Sequence, residues 1–439
     1  VNAPAPEQPV RDDLGTGVLA PRYLTADVPG IGGVLKQNAE DFLVEEIPLY
    51  QPVGEGEHIY LLVEKRGLST VEMLGVIARH FNVKRSAIGH AGLKDKRAIT
   101  RQVVSVHAPG KTPEDFPELT HPRVGILWAD LHTNKLKRGH LSGNRFSIRV
   151  RGVEATAVRP ALESLRVLER VGAPNRIGHQ RFGYLLNNHL VGRAIVVGDA
   201  KGALDLMLGP HERAPTAQHK SRAHYGAGEF REAYEAWPRM YRAERMALHG
   251  LAAGESAEEA LRSVDPTAAS FYVSSFQSAV FNEILNRRVL AGTLGELIPG
   301  DLAFVHKSRA VFAVDESVAH EPETRRRLDA FEISASGPMW GSEMTRGTGE
   351  VDRAEMDALR ATGVTPADFA RAAATSLEML EGARRPLRIP VRDIEVEGGA
   401  DEQGSYVRCA FELPRGSFAT TVMDEVMKLD PMTAEHRDG

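Results

Sequence analysis

Two stretches far apart in the chain alternate with the two-residue period of a β-strand, and most of what lies between them has the period of a helix. Phe146, Ile148 and Val150 alternate with Arg145, Ser147 and Arg149, which puts one apolar and one basic face on the same extended segment. Val407, Cys409, Phe411 and Leu413 repeat the pattern, and a helical stripe through Val422, Val426 and Leu429 opens after Gly416. This closing strand–helix unit matches the first half of the chain in style, not the middle. The economical architecture is a split α+β domain with a mixed or antiparallel sheet, interrupted by a more helical insertion.

The remaining patterns fill in that outline. Residues 1–29 are proline-containing and aperiodic, as in a flexible or loosely docked arm. Short extended segments follow Gly33 through Val34, Phe42, Val44 and Ile47, and Ile59 to Val63 is a β-rich run. Ser69 and Glu72 form a capping box that opens a helix with Met73, Leu74, Ile77, Ala78 and Phe81 on its apolar face. Gly89 to Gly92 breaks regular structure, and Val103 to Val106 is extended again, so Asp95 is expected in a loop between a helix and a strand. Residues 154–171 are helical in pattern; past Pro174 helices dominate, the longest over about 268–290 and a pair over roughly 352–382. The expected boundaries are an arm over 1–29, a split domain of 30–174 plus 385–439, and an insertion over 175–384.

At 439 residues the chain is long enough for two domains, and 42% hydrophobic with 26% charged residues is ordinary for a globular protein. No run approaches the roughly 20 apolar residues of a membrane span, and the first residues lack the pattern of a secretory leader. Cys409 is the only cysteine, which excludes an internal disulfide and a Cys-rich zinc site, and a reducing cytoplasm is the expected compartment. A net charge of −5 does not exclude nucleic acid, because phosphates respond to local charge. Three clusters qualify: Lys84, Arg85, Lys94, Lys96, Arg97 and Arg101; Lys135, Lys137, Arg138, Arg145, Arg149 and Arg151; and His219, Lys220, Arg222 and His224. Each is equally consistent with a solvated face.

The run from Gly89 to Gln102 concentrates the chemistry. Two glycines let the backbone approach a ligand, and Asp95 stands among Lys94, Lys96, Arg97 and Arg101, which favour its ionised form and attract phosphates. A carboxylate held against a sugar can act as nucleophile or base. By residue type alone, the same loop also suits a surface ion pair. The loop resembles the catalytic motif of the TruD family of pseudouridine synthases, whose invariant aspartate falls on Asp95. Further blocks resemble that family in the same order: Lys36 to Glu46, Gly143 to Phe146, Pro174 to Gly183, Ser278 to Asn282, Ser336 to Gly341, and Leu413 to Thr420. The resemblance covers about residues 33 to 428.

It implies a tRNA substrate, with uridine 13 of the D-arm as the usual target, a cytoplasmic and monomeric enzyme, and no metal or organic cofactor. The split domain would be catalytic and the insertion the TRUD domain. Asp95 would open the glycosidic bond of the target uridine, and the freed uracil would rejoin through C5. Phe42 and Phe418 would contact the extruded base, where aromatic stacking returns roughly 1–3 kcal/mol. Asn144 has both a donor and an acceptor for uracil, Phe146 would be a site wall or support, and Lys36 would pair with Asp95 or a phosphate. By residue type alone Phe42 and Phe418 suit a core first, and Asn144 also suits a turn and Lys36 an open surface. Two other readings stay open: an RNA-binding module without catalysis, and a glycosidic-bond hydrolase using Asp41 or Glu40 as a second carboxylate.

Overall fold

The computed structural model describes residues 20–375 and 381–429. The beginning of the expected arm, the end of the helical pair over 352–382 and the chain from residue 430 lie outside them. The described chain divides into two compact units, one built from residues 23–173 and 389–429, the other mainly from 174–388.

The first unit is organised on an eight-stranded mixed sheet. Its strands are β1 (Phe42–Pro48), β2 (His58–Arg66), β3 (Ile88–His90), β4 (Ile99–His107), β5 (Val124–His132), β6 (Leu141–Arg151), β7 (Arg392–Asp401) and β8 (Gly404–Pro414). They run in the order β7-β8-β6-β1-β4-β2-β5, with β3 beside β4. The two segments that alternated in sequence are partners: β8 lies antiparallel to β6, with Phe411 opposite Phe146 and Leu413 opposite Asn144. β1 and β4 are parallel, and the other pairs are antiparallel.

Helices α1 (Thr70–His80), α2 (Val158–Val171) and α3 (Ala419–Met427) complete this unit. Ser69 caps α1 in the expected capping box with Glu72. One core joins Phe42, Val44, Phe146, Ile148, Val150, Phe411 and Leu413 to α2 and α3, and a second joins Ile59, Leu61, Val63 and Val104 to α1. Residues 23–29 are not loose. Thr25 is 2% exposed, and its amide and that of Leu24 donate to the Glu425 carboxylate on α3.

Two local expectations change, and one strand was not anticipated. Ile88 to His90 is a short strand, so Asp95 lies between two strands, not between a helix and a strand. Gly89 is required by packing: a Cβ there would stand 2.2 Å from the Leu136 carbonyl oxygen. β7 alternates little between buried and exposed residues, and its sequence gave no warning of a strand.

The second unit is built around the helix Pro266–Leu290, close to the expected 268–290. The helix Asn188–Val197 packs on it so tightly that a Cβ on Gly192 would meet the Tyr272 carbonyl oxygen at 2.0 Å. The expected pair near 352–382 is present as Gly349–Arg360 and Pro366–Thr375. A four-stranded sheet joins Ala383–Pro386, Ile333–Met339, Leu302–Val305 and Val311–Ala313 in that order. Its two inner strands are short and buried without alternation, so periodicity could not separate them from helix.

Candidate active site

Parallel pairing of β1 with β4 brings together residues distant in sequence. Parallel neighbours start at the same end of a sheet, so the segment entering β1 and the loop entering β4 lie side by side. Lys36, in the first, donates from Nζ to Asp95 Oδ2, in the second, at 3.1 Å. The same ammonium sits 4.5 Å from the centroid of the Phe42 ring. Lys36 has a φ of 54°, a left-handed conformation that costs a non-glycine residue about 1–2 kcal/mol. The Asp95 side chain is 52% exposed and that of Lys36 is 17% exposed. The carboxylate therefore faces solvent while its counter-ion lies against the protein.

The loop behind Asp95 is pinned by buried side chains. Lys65 is fully buried and donates to the carbonyls of Leu68 at 2.6 Å and Asp95 at 2.7 Å. Burial pulls its ammonium down to about 8, against the opposing pull of the Asp95 and Glu72 carboxylates. The Lys94 amide donates to Thr70 Oγ1 at 2.9 Å, and Gln102 Nε2 donates to the Gly92 carbonyl at 3.4 Å. Such anchoring suits a loop that must present one carboxylate in a fixed place.

Asn144 is fixed the same way. It lies opposite Glu46 across β6 and β1. Lys94 Nζ bridges the two, 2.7 Å from Asn144 Oδ1 and 2.8 Å from Glu46 Oε2. Glu46 Oε1 accepts from the Val103 amide. With Oδ1 engaged by an ammonium, the group Asn144 has left to offer a ligand is its amide N–H₂, a donor.

The aromatic residues separate. Phe42 is 1% exposed, edge-on to Phe146 with centroids 6.3 Å apart, and Phe146 packs on Phe411. Both belong to the core, and the Phe42 ring also carries the Lys36 ammonium. Phe418 is 59% exposed at the start of α3, four residues past the end of β8.

The basic clusters are largely spent on acids. Arg145 pairs with Glu395 and Glu412, Arg149 with Asp401, and Arg151 with Asp41 and Asp401. The basic face expected on β6 is thus a ladder of ion pairs with β7 and β8. In the first cluster Lys94, Lys96 and Arg101 face Glu46, Glu72 and Glu64; it is Lys36, outside the cluster, that reaches the Asp95 carboxylate. Arg222, from the third, is buried. Lys84, Arg85, Lys137 and Arg138 remain exposed. The second carboxylate of a hydrolase is also committed elsewhere: Asp41 is fully buried against Arg151 and Asn38, and Glu40 binds Arg66. Among the described residues no group of His, Cys, Asp and Glu could hold a metal ion.

Lys65 and Glu46 were missed by sequence reasoning, although a signal existed. Lys65 shares the phase of Ile59, Leu61 and Val63, and Glu46 that of Phe42 and Val44. A charged residue on the buried phase at a strand end needs a partner inside.

Comparison with known proteins gives the family and the fold. The family model described as tRNA pseudouridine synthase D (TruD) matches residues 19–426. A tRNA pseudouridine synthase D of Geobacter metallireducens is 43% identical over 93% of this chain and 98% of its own length. One from Thermus thermophilus is 34% identical over 93% of both chains. A crystal structure from Methanosarcina mazei, assigned to tRNA pseudouridine synthase D, superposes with a TM-score of 0.83 at 28% identity, covering 96% of this chain and 99% of its own.

Proposed function

The chain belongs to the TruD family of tRNA pseudouridine synthases, which are isomerases, and on that footing we propose that Asp95 opens the glycosidic bond of uridine 13 in a tRNA. The observation that carries this reading is a solvent-facing carboxylate held at one oxygen by a largely covered lysine, on a loop anchored by buried side chains. Isomerisation of uridine to pseudouridine conserves every atom. The N1–C1′ bond breaks, a C5–C1′ bond forms, and the C5 proton is exchanged for one on N1.

A single carboxylate can start this sequence by adding to C1′ or by taking the C2′ proton, and either step releases uracil as an anion that must be kept in place. Lys36 balances the carboxylate in the free enzyme. As a nucleotide enters, the ammonium moves off the Phe42 face, which frees that ring to stack and Asp95 to approach the ribose. Asn144, held through Oδ1, donates from its amide nitrogen to a uracil carbonyl. Phe146 supports Phe42 from the side, and the exposed Phe418 gives a second stacking surface. The tRNA, made and matured in the cytoplasm, is held through its backbone by exposed cations such as Lys84, Arg85, Lys137 and Arg138.

The test is a paired assay of wild type and Asp95→Asn on an unmodified tRNA transcript. The wild type should form pseudouridine at position 13, while the variant binds the RNA, stays folded and turns nothing over. Normal turnover by Asp95→Asn would remove the carboxylate from the mechanism. Release of free uracil by the wild type would indicate a hydrolase.

A further inference from the structure

The unit formed by residues 174–388 contains a cavity of about 630 Å³ with no part in the chemistry described above. That volume falls in the range of pockets that enclose small organic ligands. Tyr184, Met207, Phe271 and Tyr272 supply aromatic and apolar wall, and Glu244, in the first turn of the helix Arg242–Ala252, brings a carboxylate to it.

Glu244 is the anomaly. Burial raises its carboxyl above the ordinary value, against the opposing pull of its own backbone amide and, more weakly, of the Arg222 cation. Yet Arg222 directs its N–H groups elsewhere: to Gln218 Oε1 at 2.9 Å, to the Gly209 carbonyl at 2.7 Å and to the Tyr184 hydroxyl. Among the described residues the Glu244 carboxylate forms no ion pair, and the donor that reaches it is its own backbone amide. A partly buried, desolvated carboxylate with a single local donor keeps acceptor capacity unmet, and a ligand bearing donors would fill it. The Tyr184 ring is meanwhile fixed, because its hydroxyl is shared by Gln218 and Arg222. Phe271, 40% exposed, lies under the Arg181 guanidinium at 5.0 Å.

The ligand this arrangement fits is flat, has apolar faces and carries two adjacent N–H donors on one edge. Of the RNA bases, guanine meets the last requirement through N1–H and the N2 amine. Adenine and cytosine place a donor beside an acceptor, and uracil has one donor between two acceptors. We propose that this cavity is a guanine-binding site for an unpaired nucleotide of the RNA substrate, with Glu244 accepting from the base edge and the aromatic wall taking its face. This rests on the RNA-isomerase reading. It adds a contact outside the reacting nucleotide, so it acts on substrate capture.

The test measures equilibrium binding of GMP, IMP and AMP to the full chain by calorimetry, with wild type and Glu244→Gln, alongside pseudouridine formation on a tRNA transcript. GMP should bind saturably and AMP should not. IMP, which lacks the N2 amine, should bind roughly tenfold more weakly, the loss of one charge-assisted hydrogen bond. Glu244→Gln keeps the shape of the side chain; it should remove the preference for GMP and raise KM for tRNA while leaving kcat unchanged. Equal binding of GMP and AMP, no saturable binding of GMP, or a Glu244→Gln variant with unaltered preference and KM would overturn the proposal. A wild type that binds GMP selectively but turns over no RNA would leave the pocket standing and remove the isomerase reading.

Discussion

Replacing Lys65 with methionine separates stability from catalysis. The ammonium is fully buried, and its two acceptors are the carbonyls of Leu68 and Asp95 at 2.6 and 2.7 Å. Charge-assisted hydrogen bonds of this kind contribute about 1.5–3 kcal/mol each, so methionine forfeits roughly 3–6 kcal/mol. Against this, holding the ammonium down to about 8 from 10.5 reflects roughly 3 kcal/mol of unfavourable burial, which methionine abolishes. The net change in stability is therefore modest, between about 0 and 3 kcal/mol. The loss at the candidate active site has no such offset, because the backbone that carries the proposed catalytic carboxylate, Asp95, loses its anchor. A single charge-assisted hydrogen bond corresponds to about 10- to 100-fold in rate. Lys65→Met should lower kcat by that factor, with tRNA binding and the circular dichroism spectrum close to wild type.

The pH profile gives a second readout. Between about 8 and 10.5 the unfolded chain keeps a proton on Lys65 that the folded chain has released, so this group makes stability rise with pH across that window. The rise should be absent from Lys65→Met melting curves. Full kcat in a folded Lys65→Met variant would refute the positioning argument, and an unaltered pH slope would refute the burial argument.

Other substitutions probe the surrounding network. Arg151→Leu leaves Asp41 buried without its cation and should cost about 3–5 kcal/mol in urea unfolding, whereas the double change Arg151→Leu with Asp41→Leu should recover part of that loss. Glu46→Gln should loosen Lys94 and with it Asn144, raising KM for tRNA and lowering the melting temperature, while Lys94→Met should lower uridine turnover more than RNA binding. Arg151 holds Asp401 at about 2, below its ordinary 3.8, so the stability from this pair is complete above pH 3.8 and fades as pH falls toward 2. Asp401→Asn should flatten acid-unfolding curves in that interval. Gly89→Ala drives a methyl group into the Leu136 carbonyl and should cost about 1–3 kcal/mol by thermal melting.

How much of this was legible depends on whether a residue advertises its surroundings locally. The alternation in β6 and β8 did, because one face of each strand meets a core, and the split architecture followed from it. The capping box at Ser69 did, because a cap is a contact between near neighbours. Strand β7 did not: its outward residues are half of an ion-pair ladder whose other half lies on β6 and β8. The same ladder explains why a basic face read from one strand disappears when the sheet is assembled. At the candidate active site Asp95 was singled out through a motif, while its supports at Lys65, Thr70 and Gln102 were not. Lys65 sits between Glu64 and Arg66, where composition suggests a surface, and only its phase within β2 marks it as interior.

The late arrival of β8 has a consequence for the chain as it is synthesised. β6 is complete at Arg151, but the strand that covers it begins at Gly404. Until then the row of amides and carbonyls along β6 that will meet β8 has no partner, and such an edge is a template for pairing with other chains. At ~5–20 residues per second the exposure lasts on the order of tens of seconds on the ribosome. The early segment around Thr25 waits as well, since the carboxylate that receives it is Glu425. A nascent chain halted within residues 152–403 would therefore already contain the loop of Asp95 yet present an open sheet edge, and it would be a client for chaperones rather than a slow enzyme.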